Sequence, residues 1–157
     1  MTIPRHRREG EEPFRWEGVD VREYKPDDGG EPTFKDLSRQ ILFDDSNLDH
    51  QVRFFDIEPG GHTTLERHKH THSVVVLGGH GQCLVGDFVF DLMPHDLIAV
   101  EQWEWHQFRA APDDHLGFIC IVNCNRDRPQ LPNAPDLERL TRYPEIATFL
   151  GLTHPGD

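Results

Sequence analysis

Cysteine, positive charge and long apolar runs are all scarce in this chain. Cys83, Cys120 and Cys124 make an odd set with no disulfide framework, which points to a reducing compartment. Cys83 and Cys120 fall inside apolar segments, where thiols are ordinary small core residues. The Cys-x3-Cys pair formed by Cys120 and Cys124 offers half a zinc site, but no second half-site follows it. Lys and Arg number 16 against 28 Asp and Glu, a formal charge of −12 that 11 His partly offset in mild acid. Such a surface repels phosphate backbones and anionic lipids, so neither nucleic acid nor a membrane surface is an expected partner. The basic patch Arg5–Arg8 reads as a solvated tail. No segment is long and apolar enough to span a bilayer, and the first residues lack the apolar core of a signal peptide, so the cytoplasm is the expected location. There is no Ser-His-Asp constellation, phosphate-cradling glycine loop, dinucleotide fingerprint or helix-turn-helix segment to suggest another chemistry.

What is present is turn residues and short apolar runs. A chain of 157 residues is most simply one domain with a real core. With 12 Pro and 13 Gly between apolar runs of four to eight, many short strands are favoured over long helices. Residues 1–37 read as a charged, partly extended arm, in which Trp16, Val19 and Val21 can pin a short edge strand onto the domain or onto a second copy. Residues 38–125 alternate as strands and turns: 38–43, 51–57, 74–77, 80–85, 88–92, 97–100, 105–110 and 116–122. Glu58–Gly61 reads as a turn feeding a strand that carries Glu66 and His68. Residues 126–157 read as a Pro-rich linker and a helical appendix, capped by Asp136 and stopped by Gly151. The fold class is all-β, a sandwich or barrel.

The chemistry concentrates between Pro59 and Gly79. Glu66, His68, His70 and His72 occupy every second position directly before the apolar run Val74–Leu77. In an extended strand, residues two apart share a face, so four metal-capable side chains line up on one side. Farther on, Pro94–Arg109 supplies His106 at the start of another alternating segment. The two stretches are expected to meet around one metal ion. An ionisable cluster inside a β barrel is costly unless it is coordinated or paired.

The first stretch resembles the first cupin motif. Gly60, the positions of Glu66, His68 and His72, and Gly79 reproduce its spacing without a gap. The second stretch resembles the second cupin motif, with Gly86, Pro94-x-Asp96 and His106 at the metal-binding His. The family's first His is Glu66 here, and its Glu is His72. Three imidazoles and one carboxylate remain, so the resemblance implies a jelly-roll barrel, a double-stranded β-helix, with Glu66, His68, His72 and His106 as ligands to one divalent transition metal ion: Fe, Mn, Zn, Ni or Cu. His70 shares the face but falls in the turn of the motif. It reads as exposed or as a neighbour of the ligands, as do His62, His80, His95 and His115.

The resemblance also implies a pocket at the barrel mouth. Trp103 and Trp105 either form one wall of it or cap the core. Phe54, Val74, Val76, Phe108 and Phe118 read as core. Arg39 and Arg53 read either as cations beside an anionic substrate or, more simply, as solvated strand residues. A small oxygen-rich molecule such as a keto-acid, enediol or sugar derivative can chelate the ion. Iron, nickel or copper suits a dioxygenase; manganese or zinc suits an isomerase or lyase. The alternative is a non-catalytic small-molecule or metal-binding module. Small cupins commonly pair through N-terminal strands, so the resemblance implies a homodimer.

Overall fold

The computed structural model describes residues 14–24 and 31–153. The Arg5–Arg8 patch lies outside them. Among the described residues are nine strands, β1 (Arg22–Glu23), β2 (Lys35–Phe43), β3 (His50–His62), β4 (His72–Gly79), β5 (Gly81–Val85), β6 (Phe88–Leu92), β7 (Leu97–Val100), β8 (His106–Ala110) and β9 (Leu116–Asn123), and two helices, α1 (Ala134–Leu140) and α2 (Pro144–Leu150). All strand pairs are antiparallel, and the main path runs β6-β5-β8-β3-β9-β4-β7 with β2 and β1 attached beside β3. This is the curled jelly-roll sheet that the sequence implied.

β3 joins the two halves. Its first part lies between β2 and β9, with Phe54 opposite Gln40 on one side and Ile119 on the other. Its last residue, His62, crosses to Arg109 of β8. The segment Glu58–Gly61, expected to be a turn between strands, lies inside this long strand. Gly60 adopts φ +74°, a left-handed value open to glycine, and the pairing with β2 shifts register here, so the strand bends instead of ending.

Alternation assigns the two faces. Inward positions Phe55 and Ile57 on β3, Val74 and Val76 on β4, Phe108 on β8, and Phe118 and Cys120 on β9 form one buried core. Within it the Phe118 ring lies 5.5 Å from Phe55 and 4.9 Å from Phe108. On the outer face Leu84 and Trp105 pack with Leu140, Ile146 and Phe149 of the helices. Phe54 is buried too, but on the outer face of β3, beneath Phe14 at 5.0 Å and Trp16 at 4.8 Å. Gly78 and Gly117 face each other across β4 and β9 beside Phe14; a Cβ on Gly117 would stand 2.8 Å from Phe54 Cζ and 2.9 Å from Phe14 Cζ. The bare backbone there makes room for the Phe14 ring. β1 pairs with the edge of β2, Arg22 opposite Arg39.

The appendix is two helices and not one. Asn133, rather than Asp136, is the N-cap of α1: its side chain accepts from Asp136 N, and the Asp136 carboxylate accepts from Asn133 N. Pro144 opens α2, because its ring cannot continue a preceding helix but suits a first turn. Gly151, at φ +67°, ends α2 as its sequence position suggested.

The outer cluster makes the helices part of the cooperative unit. Leu140→Ala is expected to cost about 2–5 kcal/mol, read as a lower urea midpoint at unchanged slope. An unchanged midpoint would mean that α1 and α2 unfold independently of the barrel.

Candidate metal centre

Past the aromatic rings, the inward rows turn from apolar to ionisable. β4 passes from Val76 and Val74 to His72, β8 from Phe108 to His106, and β3 from Phe55 to Arg53. The site is the polar end of the core. It opens into a cavity of about 550 Å3 lined by Phe55, Phe108 and Phe118 as well as by these polar groups.

Of the four side chains expected on one strand, only His72 is in a strand. Residues 63–71 form a loop, in which Glu66 makes an isolated bridge to His106. His106 N donates to Glu66 O at 3.0 Å, and Glu66 N donates to His106 O at 3.2 Å. The two stretches therefore meet, held by backbone rather than by side-chain alternation. The loop is tied further by reciprocal backbone bonds between Arg67 and Gln130 and by Trp103 N donating to His68 O at 2.8 Å.

The ligand atoms of His68, His72 and His106 lie within 4.8 Å of one another. His68 Nδ1 sits 2.7 Å from His70 O, and His106 Nδ1 sits 2.9 Å from Glu104 O. A carbonyl only accepts, so each Nδ1 carries the proton and each Nε2 keeps its lone pair. His72 Nδ1 lies 3.3 Å from Cys120 Sγ, and its Nε2 is buried with no hydrogen-bond partner. An orphaned ring nitrogen facing two other imidazoles is costly unless it meets a cation. Burial, reinforced by the neighbouring imidazoles, pushes His72 down to about 2, and burial pushes His106 down to about 4. All three rings are thus held neutral at pH 7, the form that binds a metal. The donor set is compatible with a metal ion.

Glu66 stands beside the trio, Oε1 3.9 Å from His106 Nε2, and outside the group within mutual reach. Burial raises its carboxyl to about 7, against the pull of Arg53. His70 stacks on His68 at 3.6 Å between centroids, and its Nδ1 lies 2.8 Å from Asp127 Oδ1. Asp127 also accepts from the backbone N–H groups of Lys69 and His70, which hold its carboxyl well below the usual range. His70 therefore buttresses the loop. His80 and His115 pair elsewhere, with Asp114 and Asp56.

Neither tryptophan walls the cavity. Trp105 is buried under the helices with Arg67 4.6 Å above its ring, and Trp103 is 44% exposed. The parity of Trp105, one residue before inward His106, already sends it to the other face. Instead Arg39, Arg53, Arg126 and Arg128 line the cavity. Arg53 could have been placed there from its spacing, two and four residues before inward Phe55 and Ile57. Arg126 and Arg128 come from a segment read only as a linker.

The curled antiparallel sheet and the imidazole trio at its mouth define a cupin. A family model described as "Cupin domain" matches residues 53–122. The chain belongs to the cupin superfamily. It is 46% identical over 137 residues, 87% of this chain and 86% of the relative, to the 1-methylthio-D-xylulose 5-phosphate methylsulfurylase of Rhodospirillum rubrum. Among solved structures it is similar to a cupin 2 conserved barrel domain protein from Rhodopseudomonas palustris, at TM-score 0.85 and 48% identity over 92% of this chain and 97% of that one. A cupin-2 domain protein from Rhodospirillum rubrum follows at TM-score 0.83 and 43% identity, with 92% and 95% covered. No helix among the described residues is long and apolar enough to cross a membrane.

After loading with manganese, His72→Ala and His106→Ala are each expected to lower bound metal more than about tenfold, and His70→Ala less, because its effect passes through His68. Elemental analysis checks this. Equal loss in all three variants would put His70 among the ligands.

Proposed function

We propose that this chain is a metal-dependent enzyme that removes the methylsulfanyl group from 1-methylthio-D-xylulose 5-phosphate. The observation that carries the reading is the 46% identity, spread over 87% of this chain, to the relative of that name. The imidazole trio and the cavity around it support the reading, since such a substrate is a small oxygen-rich ketose of the kind a cupin metal can chelate. We take His68, His72 and His106, with Glu66 as the carboxylate, to be the residues that would hold the ion.

The substrate's own structure defines what the site must do. Its methylsulfanyl group is on C1, next to the C2 ketone. When a thiol takes up that group, a sulfur–sulfur bond forms and the C1–S bond breaks with its electron pair left on C1. The neighbouring carbonyl spreads that pair onto oxygen, and the thiol's proton ends on C1, so atoms and electrons balance. A bound divalent ion supplies Lewis acidity at the C2 oxygen. The protein's part is to fix three neutral imidazoles through the His70 and Glu104 carbonyls and the Cys120 sulfur. The rings of Phe55, Phe108 and Phe118 line the cavity beside the imidazoles and offer the substrate an apolar wall.

This chemistry favours the non-oxidative branch of cupin reactions over dioxygen activation. The purified protein, reloaded with manganese and given 1-methylthio-D-xylulose 5-phosphate and dithiothreitol, is expected to yield the demethylthiolated ketose phosphate under nitrogen as fast as in air. Stripping the metal should abolish turnover, and manganese should restore it. An absolute requirement for dioxygen, or full activity after stripping, would overturn the proposal.

A further inference from the structure

The cavity carries a second cluster besides the imidazoles, and it is cationic. Arg39 on β2, Arg53 on β3 and Arg126 just after β9 line the same space. The chain has 28 acidic side chains against 16 basic ones, so carboxylates are plentiful. Arg22, Arg139 and Arg142 pair with Asp20, Asp87 and Glu138 at 3.6–3.7 Å, while Arg67 and Arg109 bond the side-chain amides of Gln130 and Gln107. Among the described residues, Arg39, Arg53 and Arg126 have no carboxylate within ion-pair distance.

Neutral groups position these three instead. The Arg53 guanidinium lies 5.2 Å over the Phe55 ring, and its Nη2 donates to Cys120 Sγ at 3.4 Å. Its Nε is buried with no acceptor. The Arg39 guanidinium lies 5.5 Å over the Tyr24 ring. Arg126 Nη1 donates to Asn123 O at 2.8 Å and to Gln51 Oε1 at 3.5 Å. Burial, with the charges of Arg53 and Arg39 nearby, holds Arg126 below its ordinary value. The two carboxylates on the cavity do not offset this charge. Glu66 stands at the imidazole trio, its Oε1 3.9 Å from His106 Nε2, and Asp127 is taken up by Lys69 and His70. Converging guanidinium groups without a counter-ion are unfavourable until a dianion with several acceptor oxygens arrives, and their planar forks suit phosphate.

We propose that Arg53, Arg126 and Arg39 form the phosphate subsite of this cavity and hold the 5-phosphate of the sugar while its carbonyl end lies at the imidazole trio. This deepens the phosphosugar reading and rests on it. The register fits. Arg53 is opposite Cys120 on β9, and Cys120 is opposite Val74 on β4, one inward step from His72. Arg53 Nη2 and His72 Nδ1 both meet Cys120 Sγ, at 3.4 and 3.3 Å, so the arginine cluster and the imidazole trio adjoin in one cavity, within the reach of a single pentose phosphate.

Titration calorimetry on manganese-loaded protein with D-xylulose 5-phosphate and with D-xylulose tests the assignment. The phosphorylated sugar is expected to bind about a hundredfold more tightly. Arg126→Gln, at an exposed position that tolerates change, and Arg53→Gln are each expected to cut that preference about tenfold, with D-xylulose binding and metal content unchanged. Arg53→Lys keeps part of it. Equal affinity for the two sugars, binding of neither, or an undiminished preference in the Gln variants would overturn the subsite. Loss of affinity for both sugars alike would make the arginines structural and overturn it too. If the preference holds and no methylsulfanyl group is released, the reaction falls and the subsite stands.

Discussion

The reciprocal backbone pair between Glu66 and His106 is the tie on which the centre depends. The loop after β3 forms no continuous ladder through residues 63–71, and its position is set by short contacts made one residue at a time. Glu66 closes onto β8, Arg67 onto Gln130, and His68 accepts from Trp103. These bonds bring His68 into reach of two imidazoles that the sheet already holds. Each Nδ1 is then fixed, so the three lone pairs are aimed before any cation arrives. Preorganisation of this kind puts the cost of burying neutral, under-bonded imidazoles on folding rather than on metal binding.

Much of this was legible in the sequence, and what was not has physical reasons. The strand segments follow from spacing, and the joining of residues near 66 to residue 106 is what the resemblance to the two cupin motifs implied. His72 and His106 sit in strands, where alternation dictates which way a side chain faces. Glu66, His68 and His70 were read with the same alternation and do not obey it, because the chain leaves the sheet there. In a loop, direction comes from tertiary hydrogen bonds that no local pattern encodes. His70 accordingly turned out to stack on a ring instead of joining a row. The cap of α1 was misplaced for a related reason: Asn133 and Asp136 are both good capping residues, and the reciprocal box uses them together.

The arginines show the same division. Arg53 shares its strand face with Phe55 and Ile57, so its inward direction is written in the sequence. That no carboxylate among the described residues pairs with it is not, since that depends on which side chains the fold brings opposite. The overall charge of −12 says little about a cavity whose lining is locally basic. A strongly acidic chain and an arginine-lined cavity are compatible, because net charge does not say where the cations gather.

The slot between Gly78 and Gly117 has a bearing on how this barrel is assembled. Two glycines facing each other leave a stripe of naked main chain across the sheet, and the aromatic ring of residue 14 is what covers it. A version of the protein trimmed beyond that ring would present a greasy furrow, with Phe54 at its floor, to whatever lay nearby. Phe14, with Trp16 beside it, is thus a fitted lid on the back of the sheet, and the barrel is finished only when that lid is on.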